Sequence, residues 1–383
     1  MPNTYQIGRL GRLYVALEPS AYGTAAVLAA TDAVRHLNLK LDQNPRNRVN
    51  SPERHAHPSQ LYRFTRRKTA EWMVSGIFYP SGTLNTLPDH DPILQTVFGA
   101  RTNVTLSTTV SAAPAPTTTV FTVASAAGLA VGDAVLVNAT SGGRQVRFIT
   151  AIAGAALTVD PALSAAPASG DSVKGCITYK LATALLANGS LNLAHYLTSM
   201  SWEIKGGAPE SFKITFESND EIMWEASGPA KNRVRPAQTD PTTFTTVGTT
   251  PPSGLTGYLR IGAAAEEFLK ASFELKNGIE LDNIAFGTAD SQAMYRAKKR
   301  EVECEFDTMV SDDITILDLA ENTTDTVGLV QCGLTEGSIV AAYSPKIELE
   351  TPDDPNDDET MQHSYKGICK GTTGNDEFYL AVA

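Results

Sequence analysis

The sequence predicts a mainly β protein of antiparallel strands, with one or two short helices and a small inserted β module. Three observations carry that expectation. Apolar and polar residues alternate with period two along much of the chain, only two segments combine a helix start with a helix stop, and the stretch 104–173 changes composition abruptly. At 383 residues the chain exceeds one ordinary domain of about 100 to 200 residues, so two units or one core with a large insertion are expected. Apolar residues make up 42% and charged residues 19%, which is a globular rather than a disordered composition.

The alternating segments run as follows. Residues 71–78 place Trp72, Val74, Gly76 and Phe78 on one face, and Met73 and Ile77 make the other face partly apolar. Residues 199–205 align Met200, Trp202 and Ile204, and residues 211–217 align Phe212, Ile214 and Phe216. Between these two, Gly206-Gly207-Ala208-Pro209 reads as the turn of a β-hairpin. Residues 269–276 set Leu269, Ala271, Phe273 and Leu275 against Lys270, Ser272, Glu274 and Lys276. In 300–307, Val302, Cys304 and Phe306 alternate with Glu301, Glu303, Glu305 and Asp307. Further strands at 338–343, 346–350, 363–370 and 376–382 make the C-terminal third a predicted meander.

Asp91 is placed to cap a helix that has Pro92 first, Ile93, Leu94, Val97 and Phe98 on its apolar side, and Gly99 as its stop. Ser311 is placed to cap 312–321, with two acids in the first turn complementing the helix dipole. The insertion, 104–173, is rich in Ala, Thr, Ser, Val and Gly, and 130–137, 144–152 and 155–159 read as its short strands. The division expected is a discontinuous core of 1–103 and 174–383, the inserted module, and an irregular, Pro- and Thr-rich linker at 226–254.

Several functions are disfavoured at this stage. The most apolar stretch, 120–137, is broken by Gly128, Gly132 and Asp133, so no membrane span is expected. Residues 1–10 lack the basic and apolar regions of a secretory signal, which points to the cytoplasm. Cys176, Cys304, Cys332 and Cys369 are far apart and suit reduced, buried thiols. No phosphate-binding loop, nucleophile elbow or zinc-protease motif is present, and no acid, base and nucleophile grouping stands out, so no enzyme, cofactor or metal is expected. His55 and His57 with Glu53 fall short of a metal set and read as a loop. The basic run near Tyr62 and Phe64 reads as a loop leading into a strand rather than a single-strand nucleic-acid groove. The acidic run 353–359 lacks the glycine and spacing of a calcium loop.

The net charge of -11 argues against wrapping a polyanion, which requires Lys and Arg at the phosphates. Its distribution is uneven. From Arg35 to Lys68 nine Lys or Arg face only Asp42 and Glu53, a net of +7; from Glu301 onward nineteen acids face Lys346, Lys366 and Lys370, a net of -16.

Several stretches together resemble the tail tube proteins of long-tailed phages. They are 11–24, with a first strand following at 36–41; the helix 91–99; 272–287; 299–307; 344–352; and the closing 365–382. None is a specific motif, since these are strand and turn patterns, and it is their order and spacing that carry the likeness. The resemblance implies a pair of packed antiparallel sheets with a flanking helix. It also implies homo-hexameric rings stacked head to tail, with strands of all copies closing one barrel around a lumen that DNA crosses only in transit. Tape measure, terminator and baseplate proteins would be the other partners, in a virion tail assembled in the host bacterial cytoplasm. The insertion would be an outward-facing decoration. Glu301, Glu303, Glu305 and Asp307 become candidates for the lumen face, with a solvated exterior face as the alternative, and Arg46, Arg48 and Arg54 become candidates for a loop reaching the next ring. The alternative functions are another tube-like component (tail terminator, baseplate hub or type VI secretion tube subunit) and a surface adhesion or carbohydrate-binding module. The last would need exposed aromatic platforms, and the insertion contains only Phe121 and Phe148.

Overall fold

A computed structural model gives the fold. It describes residues 11–19, 22–43, 48–50, 63–65, 69–184, 187, 189–197, 200–236, 238–246, 250–262, 264–266, 268–282, 290–309, 314–352 and 362–383. The fold is mainly β, in antiparallel sheets. A strand not anticipated, β1 (Arg12–Leu17), lies inside the opening segment, with Leu13, Tyr14 and Val15 fully buried. It is followed by β2 (Ala33–Val34), β3 (Asn38–Gln43), β4 (Arg48–Asn50), β5 (Arg63–Thr65) and β6 (Ala70–Ile77). β2 pairs with β1, β3 with β6, and β4 with β5.

Helix α1 (Asp91–Phe98) leads directly into β7 (Gly99–Asn103), and Gly99 ends the helix with φ at 86°, a conformation that glycine adopts without strain. Asp91 does not cap the helix as expected. His90 is the N-cap, and the buried Asp91 carboxylate accepts hydrogen bonds from the Tyr179 hydroxyl at 2.7 Å and Gln95 at 2.6 Å and pairs with Arg101. It ties the helix to neighbouring strands.

The next six strands, β8 (Ser107–Thr109), β9 (Val120–Thr122), β10 (Ala134–Ala139), β11 (Gly143–Ala153), β12 (Ala156–Asp160) and β13 (Ser172–Gly175), form a sheet of their own in the order β8-β13-β10-β11-β12-β9. Pairing of Val110 with Val123 joins its two ends, so this sheet closes into a small barrel around Val135, Val137, Ile149, Leu157, Val159 and Val173. Along β10 and β11 the alternate residues Ala134, Leu136, Val146 and Phe148 point the other way. They pack on Leu329, Ala341, Tyr343 and Ala381 of the main sheet. Both faces of these strands are therefore buried, which accounts for their nearly unbroken apolar runs. The Phe148 ring stacks on Tyr343 at 4.5 Å, the Tyr343 hydroxyl donates to Asp160 at 2.6 Å, and the buried Arg147 donates to the Tyr258 hydroxyl at 2.8 Å.

The chain then returns through β14 (Ile177–Leu181), β15 (Leu191–Tyr196), β16 (Ser201–Gly207), β17 (Ser211–Glu217) and β18 (Met223–Val234). Here the structure overturns the expected hairpin. Both β16 and β17 pair antiparallel with the single long strand β18, Glu203–Gly207 against Ala230–Val234 and Ser211–Thr215 against Met223–Ser227. They run in one direction, and Gly206-Gly207-Ala208-Pro209 is a bend, not a reversal. Gly206 takes φ of 64°, and the ladder carries on through Ala208 N–H to Pro229 O (3.0 Å) and Glu210 N–H to Ser227 O (2.8 Å). On its other side β16 pairs with β15, which pairs with β1; β17 instead joins the strands of the C-terminal half.

β18 also corrects the linker. Residues 226–234 are strand rather than irregular, and 238–244 lie as a strap over β1: Asp240 pairs with Arg12, Thr243 O accepts from the Tyr14 hydroxyl at 3.0 Å, and Gln238 accepts from Leu28 N–H at 3.0 Å.

The C-terminal half comprises β19 (Tyr258–Ile261), β20 (Ala264–Glu266), β21 (Phe268–Lys276), β22 (Ile279–Leu281), β23 (Met294–Arg296), β24 (Glu301–Met309), α2 (Thr315–Glu321), β25 (Thr326–Cys332), β26 (Val340–Leu349), β27 (Gln362–Cys369) and β28 (Tyr379–Val382). It is not a simple meander, since β24 pairs with β27 and not with β25. The two strands expected at 338–343 and 346–350 are one, β26, with an extra residue bulged at Pro345–Lys346 opposite β25. Before the bulge β26 pairs with β28, and after it with β27. α2 begins at Thr315 after Ile314; the expected cap Ser311 lies outside the described residues.

Most of these strands join one 18-stranded sheet that curls around a single large core. Phe98 of α1 lies 5.6–5.9 Å from Tyr179, Phe212 and Phe378, and Phe378 continues to Phe273 and Phe306. That aromatic chain links the helix to the β17–β21–β24 layer. The four cysteines are free and buried in the core, as their sequence contexts suggested.

Two predictions follow from the packing. Phe148→Ala removes a fully buried ring from the contact between barrel and main sheet. It should cost about 3–5 kcal/mol, read as a lowered urea midpoint; a midpoint within error of the parent would show that the barrel is not docked there. His90 is buried between Trp224 at 5.2 Å and Phe78 at 4.1 Å, and burial pushes its pKa down from 6.5 to about 3. Between those values the unfolded chain binds a proton that the folded chain refuses. The stability from neutral His90 is thus complete above pH 6.5 and is lost as the pH falls. His90→Phe keeps the ring packing without the titration and should flatten the acid limb of the stability profile; superimposable profiles would refute this.

Candidate functional site

The sheet β17–β21–β24–β27 has one face in the core and, among the described residues, no layer over the other. On β24, Val302, Cys304, Phe306 and Thr308 are buried, while Glu301, Glu303, Glu305 and Asp307 project to the other side. The alternation that makes this a strand therefore also gathers its four carboxylates. Neighbouring strands interleave lysines among them. Lys276 lies opposite Glu301, Glu274 opposite Glu303, Ser272 opposite Glu305 and Lys270 opposite Asp307. On the far side Ile368, Lys366 and Ser364 of β27 face Glu303, Glu305 and Asp307, and on β17 Lys213 and Glu217 face Glu274 and Lys270.

Six carboxylates against four ammonium groups leave this face net negative by two, not uniformly acidic. Lys276 Nζ sits 2.7 Å from Glu303, and that contact is the main reason its pKa is raised. Both partners are well exposed, so the pair contributes roughly 0–1 kcal/mol. Glu274 lies directly opposite Glu303, a like-charge pair that Lys276 and Lys213 beside it offset. A hollow of about 330 Å³ on this face is lined by Lys213, Glu274, Glu303, Glu305, Lys366 and Glu350.

The second candidate feature is a basic arm. β4 and β5 pair Arg48 with Thr65, five residues beyond the Gln43–Ala70 pair that ends the β3–β6 ladder on both strands. The two ladders therefore share one register. Arg48 is on β4; Arg46 and Arg54 lie outside the described residues, as do His55, His57 and Tyr62 and the acidic run 353–359. Among the described residues, the β3–β6 hairpin and the carboxylates lie apart: the carboxylates sit on β24, which is separated from β6 by β21, β17 and β18.

The insertion holds five charged residues, and each is engaged. Asp133 binds Thr102 and Lys180, Arg144 donates to Leu334 O, Arg147 is buried, Asp160 accepts from Tyr343, and Asp171 holds the 140 and 168 loops. Its two aromatics, Phe121 and Phe148, are both buried, so neither offers a platform for a sugar. Among the described residues no cluster of three or more His, Cys, Asp or Glu is arranged to hold a metal, and no helix is long and apolar enough to cross a membrane.

Sequence reasoning found the four carboxylates but missed the interleaved lysines, because those sit on strands distant in the chain. The only available signal was the matching alternation of Lys270, Ser272, Glu274 and Lys276.

Residues 147–366, more than half of the chain, match the family described as phage tail tube protein. The match takes in all of β17, β21 and β24 and most of β27, and it leaves out the arm and α1. No curated protein matches the chain.

Proposed function

The chain belongs to the phage tail tube protein family, and from that premise we propose that it is the repeating subunit of the tube itself, the conduit for DNA ejection. Copies would form homo-hexameric rings that stack head to tail and meet tape measure, terminator and baseplate proteins in the tail, after assembly in the host cytoplasm. The observation that carries this reading is the bare face of β17–β21–β24–β27, a broad polar sheet surface whose reverse side is core. Placed inward, such faces from several copies would line a channel.

The charge pattern suits passage rather than binding. Duplex DNA is held by cations at its phosphates, and here each lysine shares the surface with carboxylates in excess. The barrel of 104–173, free of unengaged charge and docked on the far side of β25–β26–β28, fits the outside of the tube. The core is then 1–103 with 174–383. The arm, with Arg46, Arg48 and Arg54, would reach toward the next ring.

Negative-stain microscopy of the purified protein should show rings or tubes with a central hole, and solid particles alone would sink the reading. Replacing Glu301, Glu303, Glu305 and Asp307 together with Lys changes the face from six acids and four bases to two acids and eight bases. Rings should still form while genome ejection slows or stops; ejection at the parental rate would place these carboxylates elsewhere. Changing Arg46, Arg48 and Arg54 to Glu should yield separate rings, and unimpaired tube growth would remove the arm from the stacking contact.

A further inference from the structure

The two ends of β17 carry opposite charge. The strand runs from Ser211 to Glu217, about 20 Å at the usual rise per residue, with β21 antiparallel beside it. Beyond Glu217 the turn into β18 exposes Asp220 and Glu221. At the other end, beside Ser211 and Lys276, Gly278 O accepts from Lys298 N–H at 3.3 Å, and the Lys298 and Lys299 side chains are exposed. The Glu210 carboxylate near Lys298 is half-buried and already accepts from Ile279 N–H.

Each end also leaves apolar surface uncovered. At the acidic end Glu221 bridges to Ser253, and Leu255 just beyond it is 75% exposed. Gly333 N–H donates to the Thr256 hydroxyl at 3.1 Å, which sets Leu334, 55% exposed, in the same place. Pro251, Pro252 and Leu334 line a hollow of about 480 Å³ there. At the basic end Tyr295, three residues before Lys298, is 44% exposed, and its hydroxyl donates to Glu280 at 3.3 Å. It stands on β22–β23, a two-stranded ladder separate from the main sheet. Such a ladder is marginally stable in water unless it packs on something.

We infer that the acidic end of one copy receives the basic end of a second copy in the next ring. Asp220 and Glu221 then face Lys298 and Lys299, and the Tyr295 ring enters the hollow of Pro251, Pro252 and Leu334. One copy cannot make this contact with itself, because its two patches lie at opposite ends of β17 and β21. Two copies set head to head would oppose like charges, so the pattern admits only head-to-tail stacking. Buried aromatic anchors supply much of the affinity of such contacts, while rim charges set orientation and rate. This inference rests on the stacked-ring reading above and names the surfaces through which rings meet.

The test reverses each end and then both. Asp220→Lys with Glu221→Lys, or Lys298→Glu with Lys299→Glu, should cut the yield of tubes at fixed protein concentration about tenfold and leave single rings. All four changes together should restore it to within about twofold. Thermal melts of the unassembled chain confirm that each variant is folded. As a second measurement, Leu255→Cys copies mixed with differently tagged Tyr295→Cys copies should give cross-links between the two tags with a bismaleimide in the tube fraction and not in the ring fraction. Parental tube yield with either end reversed, or a mixed cross-link already present in the ring fraction, overturns the contact. So does failure of the fourfold variant to recover when no mixed cross-link forms. If the parent itself makes no tubes, the tube reading fails instead, and the mixed cross-link, present or absent, still decides whether the two ends meet.

Discussion

Everything in this fold hangs on a ladder that bends without breaking. As the chain passes from β16 to β17 it leaves one layer and enters another, and each backbone amide on the way must keep a partner, because unpaired buried amides are costly. β18 supplies those partners along its whole length, through Pro229 O and Ser227 O at the corner. The close approach there needs glycine: a Cβ on Gly228 would lie 1.9 Å from Ala208 O. One side of this spine leads to β15 and β1, the other to β21, β24 and β27. The N-terminal layer and the carboxylate face thus belong to one continuous ladder over a shared core.

Legibility followed locality. Strands with one buried face, such as those read at 211–217 and 300–307, were plain in the sequence because alternation is a local signal. The stop at Gly99 was also readable. What the sequence concealed was pairing. Gly206 to Pro209 has turn composition, and only the partner strand reveals that the chain does not reverse there. Gly228-Pro229 fell in the stretch read as an irregular linker, and it lies within β18. Asp91 looked like a cap because it precedes Pro92, whereas its hydrogen bond to Tyr179 spans 88 positions of sequence. Three of the barrel's six strands were found, but not β8, β9 or β13, nor that β10 and β11 bury both faces.

The carboxylates show the same limit in electrostatic form. Counted along β24 alone they form an unbroken acidic row; counted across strands they are interleaved with Lys213, Lys270, Lys276 and Lys366. Cross-strand spacing of about 5 Å is shorter than the Debye length of about 8 Å at physiological ionic strength. A ligand passing over this surface therefore meets the sum of neighbouring charges rather than any one residue.

The barrel leaves and rejoins the main sheet at adjacent strands, since Asn103 of β7 pairs with Ile177 of β14. In connectivity it is a detachable part: a short turn could replace 104–176 and leave β7 and β14 paired. In energetics it is not, because its removal would bare Leu329, Ala341, Tyr343 and Ala381, which it now covers. Losing the module would therefore require the sheet beneath it to change as well.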